Sequence, residues 1–143
     1  GITFNYGLIL GWISIREALS IEAFIFYLGA IFWTLGYDTI YGYQDIKDDE
    51  IIGLKSTSIK FKKNPYNFLV ICYLIFILCT ITIGIIMKFN NFFYFFLLIP
   101  TTHLFFLQIK KLNIKNSMSC LKIFKSNNFF GFIVLINILV GKL

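Results

Sequence analysis

The chain has 143 residues, of which 58% are hydrophobic and only 14% are charged, and its mean hydropathy is +0.79. This composition lies outside the range of soluble globular domains and indicates an integral membrane protein. The formal net charge of +6 is explained by the basic loops of a membrane topology. We therefore expect the lipid bilayer as a partner and no nucleic acid.

The apolar runs, taken in chain order, predict five membrane crossings in one helical unit that covers residues 1–143. They fall at residues 2–15, 22–43, 65–87, 92–107 and 129–140. The first is interpreted as the remaining part of a longer helix. The last is short for a full crossing, so it should either begin earlier, near Phe124, or lie beside a thinned or protein-covered region of the membrane. Pro65 should start its helix, and Pro100 should kink the helix that contains it. The predicted architecture is an all-α bundle of transmembrane helices.

Most of the 13 Lys and Arg residues lie in two connecting segments, residues 45–64 and 108–128. The positive-inside rule predicts that both segments are cytoplasmic. Cys72 and Cys79 share one predicted helix, whereas Cys120 falls in the second basic segment, predicted to be a loop. Because no pair has the spacing of a disulfide or a zinc site, we expect all three cysteines to be structural.

The most informative segment spans residues 36–49 and holds four of the seven acidic residues of the chain. On a continuous α-helix, at about 100° per residue, Asp38, Tyr41, Asp45 and Asp49 fall within one stripe, and Asp48 lies off it. Like-charged carboxylates on one stripe repel one another unless a hard cation neutralises them, and Mg²⁺ prefers oxygen ligands. The pattern predicts a Mg²⁺ site that bridges to an anionic ligand such as a diphosphate. For any one of these carboxylates alone, a solvated acidic loop is the simpler interpretation.

Lys55, Ser56 and Thr57 follow the acidic residues closely. An ammonium group and two hydroxyls are suited to phosphate oxygens, since one supplies a point charge and the others supply hydrogen bonds. We therefore predict that these three residues bind the diphosphate.

A longer motif contains all of these residues: Tyr37-Asp38-Thr39, Tyr41, Asp45, Asp48-Asp49, Ile52-Gly53 and Lys55-Ser56-Thr57. It resembles the second aspartate-rich motif of the UbiA superfamily of intramembrane aromatic prenyltransferases, above all the 4-hydroxybenzoate polyprenyltransferases of ubiquinone biosynthesis. The glycine-rich segment that ends at Trp12 also looks like the family's preceding helix.

The resemblance implies a bundle of nine transmembrane helices, of which this chain would supply about the last five. It also implies Mg²⁺ as cofactor, polyprenyl diphosphate as donor and 4-hydroxybenzoate as acceptor. By the same resemblance Asp38, Asp45 and Asp49 would bind the metal, and Asp38, Tyr41 and Asp45 would be catalytic. The family's first aspartate-rich motif has no counterpart here, so we expect the chain to be the C-terminal portion of a longer protein that supplies the missing half.

Alternatives within the superfamily are the prenyltransferases of the haem, menaquinone and chlorophyll pathways. A non-enzymatic cation-transporting fragment would place its carboxylates near the middle of the membrane, whereas these lie at the predicted cytoplasmic end. The expected location is the bacterial cytoplasmic membrane or the mitochondrial inner membrane, with the aspartates on the cytoplasmic or matrix side.

Overall fold

A computed structural model describes residues 1–143, and every regular element in it is helical. The helices are α1 (Ile2–Arg16), α2 (Ile21–Gly42), α3 (Ile46–Ile52), α4 (Thr57–Lys60), α5 (Pro65–Ile86), α6 (Asn91–Phe96), α7 (Leu98–Thr102), a π-helix (His103–Ile109) and α8 (Ser117–Lys142). Four helical segments are long and apolar enough to cross a bilayer: Ile21–Gly42, Pro65–Ile86, Asn91–Ile109 and Ser117–Lys142. The predicted all-α membrane fold is confirmed, with α1 as a fifth helix of 15 residues.

The last crossing is much longer than its hydropathy alone indicates. Helix α8 has 26 residues and begins where the Asn116 side chain accepts a hydrogen bond from the Ser119 amide. Its first turns are rich in lysine and serine, so they carry no hydropathy signal although lysine favours helix. The helix begins even before Phe124, and the prediction that Cys120 lies in a loop is wrong. Cys120 lies inside α8 and is fully buried.

Helices α2 and α5 form the closest pair at the centre of the bundle. Two glycines of α2, seven residues apart, face α5: a Cβ at Gly29 would lie 2.9 Å from Cys79 Cβ, and one at Gly36 would overlap the Tyr73 ring. Without a hydrophobic driving force between helices in lipid, such close backbone approach is a main source of packing energy. This pairing holds the last turns of α2, where the candidate site begins, in place against α5.

The segment from residue 91 to residue 109 is helical but not one regular helix. Helix α6 ends at Phe96, α7 contains Pro100, at which a kink was predicted, and a seven-residue π-helix follows. Proline cannot donate the backbone hydrogen bond that would join the two turns, which explains the interruption. The π-helix carries His103 and Gln108, which are both buried.

Candidate functional site

The first two predicted site residues, Asp38 and Tyr41, lie on the last turns of α2 and are both exposed. The Tyr41 ring packs against Phe124 of α8, with 4.7 Å between ring centroids, while 42% of the residue stays accessible. Phe124 also contacts Tyr37, so one aromatic residue of α8 holds both tyrosines that flank Asp38. Sequence reasoning did not identify Phe124 as a neighbour of the site.

Helix α2 ends at Gly42, which separates the acidic residues into two groups. The Tyr43 amide donates to both the Thr39 and the Ile40 carbonyls, as in a tightened last turn. Gly42 lies against Ser58 of α4, and a Cβ there would come within 2.6 Å of Ser58 Oγ. The prediction that four side chains share one stripe of a continuous helix is therefore wrong.

The second acidic group lies on the short helix α3. Asp45 is its N-cap residue and Asp49 lies in its first turn, while Gly53, with φ of 75°, ends it in the left-handed region that favours glycine. The Asp45 side chain makes no capping hydrogen bond, so its carboxylate oxygens remain free for another partner. No group of three or more His, Cys, Asp or Glu side chains within the chain lies close enough to hold a metal ion.

The aspartates have no cationic partner. The single salt bridge of the chain joins Lys62 Nζ to Glu50 Oε1 at 2.7 Å, on the outer side of the same segment. Asp38 is the most unusual of the unpaired carboxylates, because it lies within a membrane-spanning helix. A charged group in that position is costly, and such residues generally serve a ligand or an ion.

The residues predicted to bind diphosphate line one open cavity of about 370 Å³. Its lining is formed by Leu54, Lys55, Ser56, Thr57, Ile59 and Lys60. The structure thus brings the three predicted residues together and adds a second ammonium group, Lys60. The sequence held a signal for this role of Lys60: it lies five residues after Lys55, on the helix that Ser56 caps.

The hydroxyls of Ser56 and Thr57 differ in whether their proton is still free to be donated to a ligand, as the hydrogen bonds around them show. Thr39 Oγ1 lies 2.6 Å from the Leu35 carbonyl, an acceptor, so the single proton of Thr39 is donated there. Thr57 Oγ1, 2.7 Å from Thr39 Oγ1, must then be the donor in that pair. Ser56 Oγ accepts from the Ile59 amide and lies 2.8 Å from Ser58 Oγ, an arrangement that leaves its proton free if Ser58 donates. Thr57 therefore fastens α4 to α2, whereas Ser56 can still donate to a phosphate.

A buried polar network supports α2 from the membrane interior. Trp33 Nε1 donates to Asn127 Oδ1 at 3.0 Å, and Gln108 Nε2 donates to the same oxygen at 2.9 Å. Gln108 Oε1 accepts from the Tyr73 hydroxyl, and Gln108 Nε2 also lies 3.3 Å from His103 Nδ1. The network joins α2, α5, the π-helix and α8. The sequence signal of this network is the presence of polar residues inside apolar runs, and His103 bonds to Gln108 within its own segment.

The sequence profile described as the UbiA prenyltransferase family matches residues 1–135. The chain is 36% identical over 140 residues to a 4-hydroxybenzoate octaprenyltransferase of Francisella tularensis subsp. novicida (strain U112), covering 95% of this chain and 48% of that protein. It is 37% identical over 145 residues to a mitochondrial 4-hydroxybenzoate polyprenyltransferase of Dictyostelium discoideum, covering 100% of this chain and 31% of that protein. No solved structure matches the chain. The chain spans about half the length of the bacterial relatives it matches, and it belongs to the UbiA prenyltransferase family.

Proposed function

We propose that the protein containing this chain transfers a polyprenyl group from polyprenyl diphosphate to 4-hydroxybenzoate, as a step of ubiquinone biosynthesis. Membership of a prenyltransferase family supports the reaction class, and two relatives that bear the name of this activity support the acceptor. The observation that carries the proposal is the set of aspartates without cationic partners on α2 and α3, followed directly in the chain by a cavity lined by lysines and hydroxyls.

Asp38, Asp45 and Asp49 are the proposed ligands of Mg²⁺. Carboxylate oxygens are the donors that this ion prefers, and Mg²⁺ usually keeps several waters, so the chain need supply only one or two of its ligands. When bound, Mg²⁺ neutralises charge on the diphosphate leaving group. Because no three of the acidic side chains lie close enough together to hold the ion, we propose that residues outside this chain complete the site.

Lys55 and Lys60 hold the diphosphate by charge, and Ser56 donates a hydrogen bond to one of its oxygens. Tyr41 presents a ring that Phe124 supports on one side, and an aromatic face is suited to a neighbouring carbocation on the prenyl group. Because the site is open in this chain, we propose that the part of the protein outside the chain closes it against water and so protects such a cation from hydrolysis. The polyprenyl chain itself is lipid-like, which accords with a site at the end of membrane-spanning helices.

The experiment is to express the whole gene in a bacterium that lacks its own 4-hydroxybenzoate prenyltransferase. Membranes are then given 4-hydroxybenzoate, a polyprenyl diphosphate and Mg²⁺, and the product is identified by mass spectrometry. We expect prenylated 4-hydroxybenzoate in the presence of Mg²⁺ and none when EDTA is added. A product formed only with a naphthoate acceptor would reject the acceptor and retain the reaction class.

Asp48 and Asp49 provide a matched pair for testing the metal ligands. They are adjacent aspartates on α3, and only Asp49 is a proposed ligand. Asp49→Asn should therefore reduce transfer at limiting Mg²⁺, whereas Asp48→Asn should leave it close to wild type. Equal loss in both variants would show that the charge of the segment matters and not a particular ligand.

A further inference from the structure

A second cavity of the chain lies apart from the one lined by Lys55, Ser56 and Thr57. It has a volume of about 740 Å³ and lies between the π-helix and the first turns of α8. The side chains that line it are His103, Leu107, Lys111, Asn116, Met118, Ser119, Leu121, Lys122, Ile123, Lys125 and Ser126. Its lining therefore combines four apolar side chains with three lysines, at the end of the bundle that the basic segments predict to be cytoplasmic.

This cavity is separate from the aspartate site. Phe124 of α8 contacts Tyr37 and Tyr41 of α2, so that face of α8 points toward the aspartates. Lys122 and Ser126 are two residues before and after Phe124, which places them about 160° to 200° around the helix. Phe124 itself does not line the cavity, which lies mainly on other faces of α8 than the one that contacts Tyr37 and Tyr41.

The cavity offers hydrogen-bond donors and positive charge but no carboxylate. No aspartate or glutamate follows Glu50 in the sequence, so none lines it. Lys111, Lys122 and Lys125 are exposed and have no salt-bridge partner. Their alkyl stems can lie along the apolar side chains of the lining while the ammonium groups remain at the membrane surface.

The buried network adds one more donor. Tryptophan can only donate, so the oxygen of Asn127 must face Trp33, and Asn127 Nδ2 points to the Ile123 and Phe124 carbonyls. The amide nitrogen of Gln108 must then face Asn127 Oδ1, and the same nitrogen faces His103 Nδ1.

His103 Nδ1 is therefore an acceptor, and the proton of the neutral ring is on Nε2. His103 is 6% exposed, lines the cavity, and has no hydrogen-bond partner for that second nitrogen.

We propose that this cavity binds the phosphate headgroup of an anionic membrane phospholipid, with the glycerol and acyl region against Leu107, Met118 and Leu121. Basic pockets between membrane helices on the cytoplasmic side are suited to such headgroups, and each lysine near the surface strengthens the attraction about fivefold. A zwitterionic phospholipid would place its own cation among the lysines, so net negative charge is the selected property. The proposal does not depend on the prenyltransferase activity.

The test is native mass spectrometry of the full-length protein in detergent, with phosphatidylglycerol and phosphatidylcholine supplied in equal amounts. We expect one phosphatidylglycerol molecule to be retained in preference to phosphatidylcholine. The combined variant Lys111→Gln, Lys122→Gln, Lys125→Gln should weaken phosphatidylglycerol binding by about tenfold or more. The matched control Lys63→Gln, Lys110→Gln, Lys115→Gln removes the same charge from exposed positions outside the cavity and should change binding less than about twofold.

Three results would overturn the proposal. Equal loss in the two triple variants would mean that only the general surface charge attracts lipid. Displacement of the lipid by millimolar inorganic phosphate would identify free phosphate as the ligand. Full retention of phosphatidylglycerol by Ser126→Phe, which fills the cavity without changing its charge, would place the lipid elsewhere.

Discussion

The two polar regions of this bundle differ in how their hydrogen-bonding groups are satisfied. In the membrane interior, Asn127 Oδ1 accepts hydrogen bonds from Trp33 and Gln108, and Gln108 also accepts one from Tyr73. At the end of α2, Asp38 carries a charge that no lysine or arginine of the chain neutralises. Polar groups that hydrogen-bond to one another stabilise the helix packing, whereas an unpaired carboxylate is still free to bind a cationic ligand. This contrast does not extend to every buried polar residue, because Asn137 is buried in α8 and neither atom of its amide makes a hydrogen bond.

The largest expected effect comes from removing the unpaired charge. Asp38→Asn keeps the size of the side chain and takes away a proposed metal ligand, so prenyl transfer by the full-length protein should fall at least about a hundredfold. Insertion and folding should be unchanged, because no residue of the chain pairs with this carboxylate. Transfer rates per inserted protein measure the effect, and a rate within about threefold of wild type would remove Asp38 from the site.

The next effect is on stability and comes from the satisfied region. Asn127→Leu removes the shared acceptor of Trp33 and Gln108, which leaves the partly buried Trp33 Nε1 unpaired and Gln108 Nε2 with His103 alone. We expect the free energy of unfolding to fall by about 1–2 kcal/mol, measured by denaturation in detergent. Asn128→Leu is the control, since Asn128 is the exposed neighbour on the same helix. Equal destabilisation by both variants would mean that the network has no special role.

A smaller effect separates the two hydroxyls at the start of α4. Ser56→Ala should raise the KM for polyprenyl diphosphate several-fold, about 1 kcal/mol for a hydrogen bond to a charged oxygen. Thr57→Val should change this KM little, because the Thr57 proton is already donated to Thr39. Steady-state kinetics with varied donor would decide between them. The opposite order would assign diphosphate binding to Thr57.

The smallest effect is expected at the one carboxylate that has a partner. Glu50 pairs with Lys62 across the surface, where their side chains are 38% and 52% exposed. Exposed ion pairs contribute little, so Glu50→Gln should lower the free energy of unfolding by about 0.5 kcal/mol or less and leave transfer unchanged. A large loss of transfer in this variant would extend the functional site to Glu50.

Much of the fold could be predicted from the sequence because lipid imposes a simple rule on composition. The predicted limits of α2 and α5 agree with the structure to within about one residue, since long apolar runs must be helical in a bilayer. The beginning of α8 could not be predicted from hydropathy, because its lysine-rich turns lie at the membrane surface and remain helical there.

The local chemistry of the candidate site could be predicted, but its geometry could not. The sequence was enough to identify Asp38 and the cluster from Lys55 to Thr57 as candidates, because their residue types and spacing can be seen along the chain. The break at Gly42 depends on contact with Ser58, sixteen positions further along, and a single-helix pattern contains no information about that contact. The pairing of Asn127 with Trp33 is likewise a tertiary contact between distant helices.

The most direct test measures stability and prenyl transfer together for Asp38→Asn and Asn127→Leu in the full-length protein. If unpaired carboxylates serve the ligand and paired amides serve the fold, Asp38→Asn loses transfer and keeps its unfolding midpoint. Asn127→Leu then lowers the midpoint and retains transfer per folded molecule. The opposite pattern, with a lowered midpoint for Asp38→Asn and a selective loss of transfer for Asn127→Leu, would contradict this account.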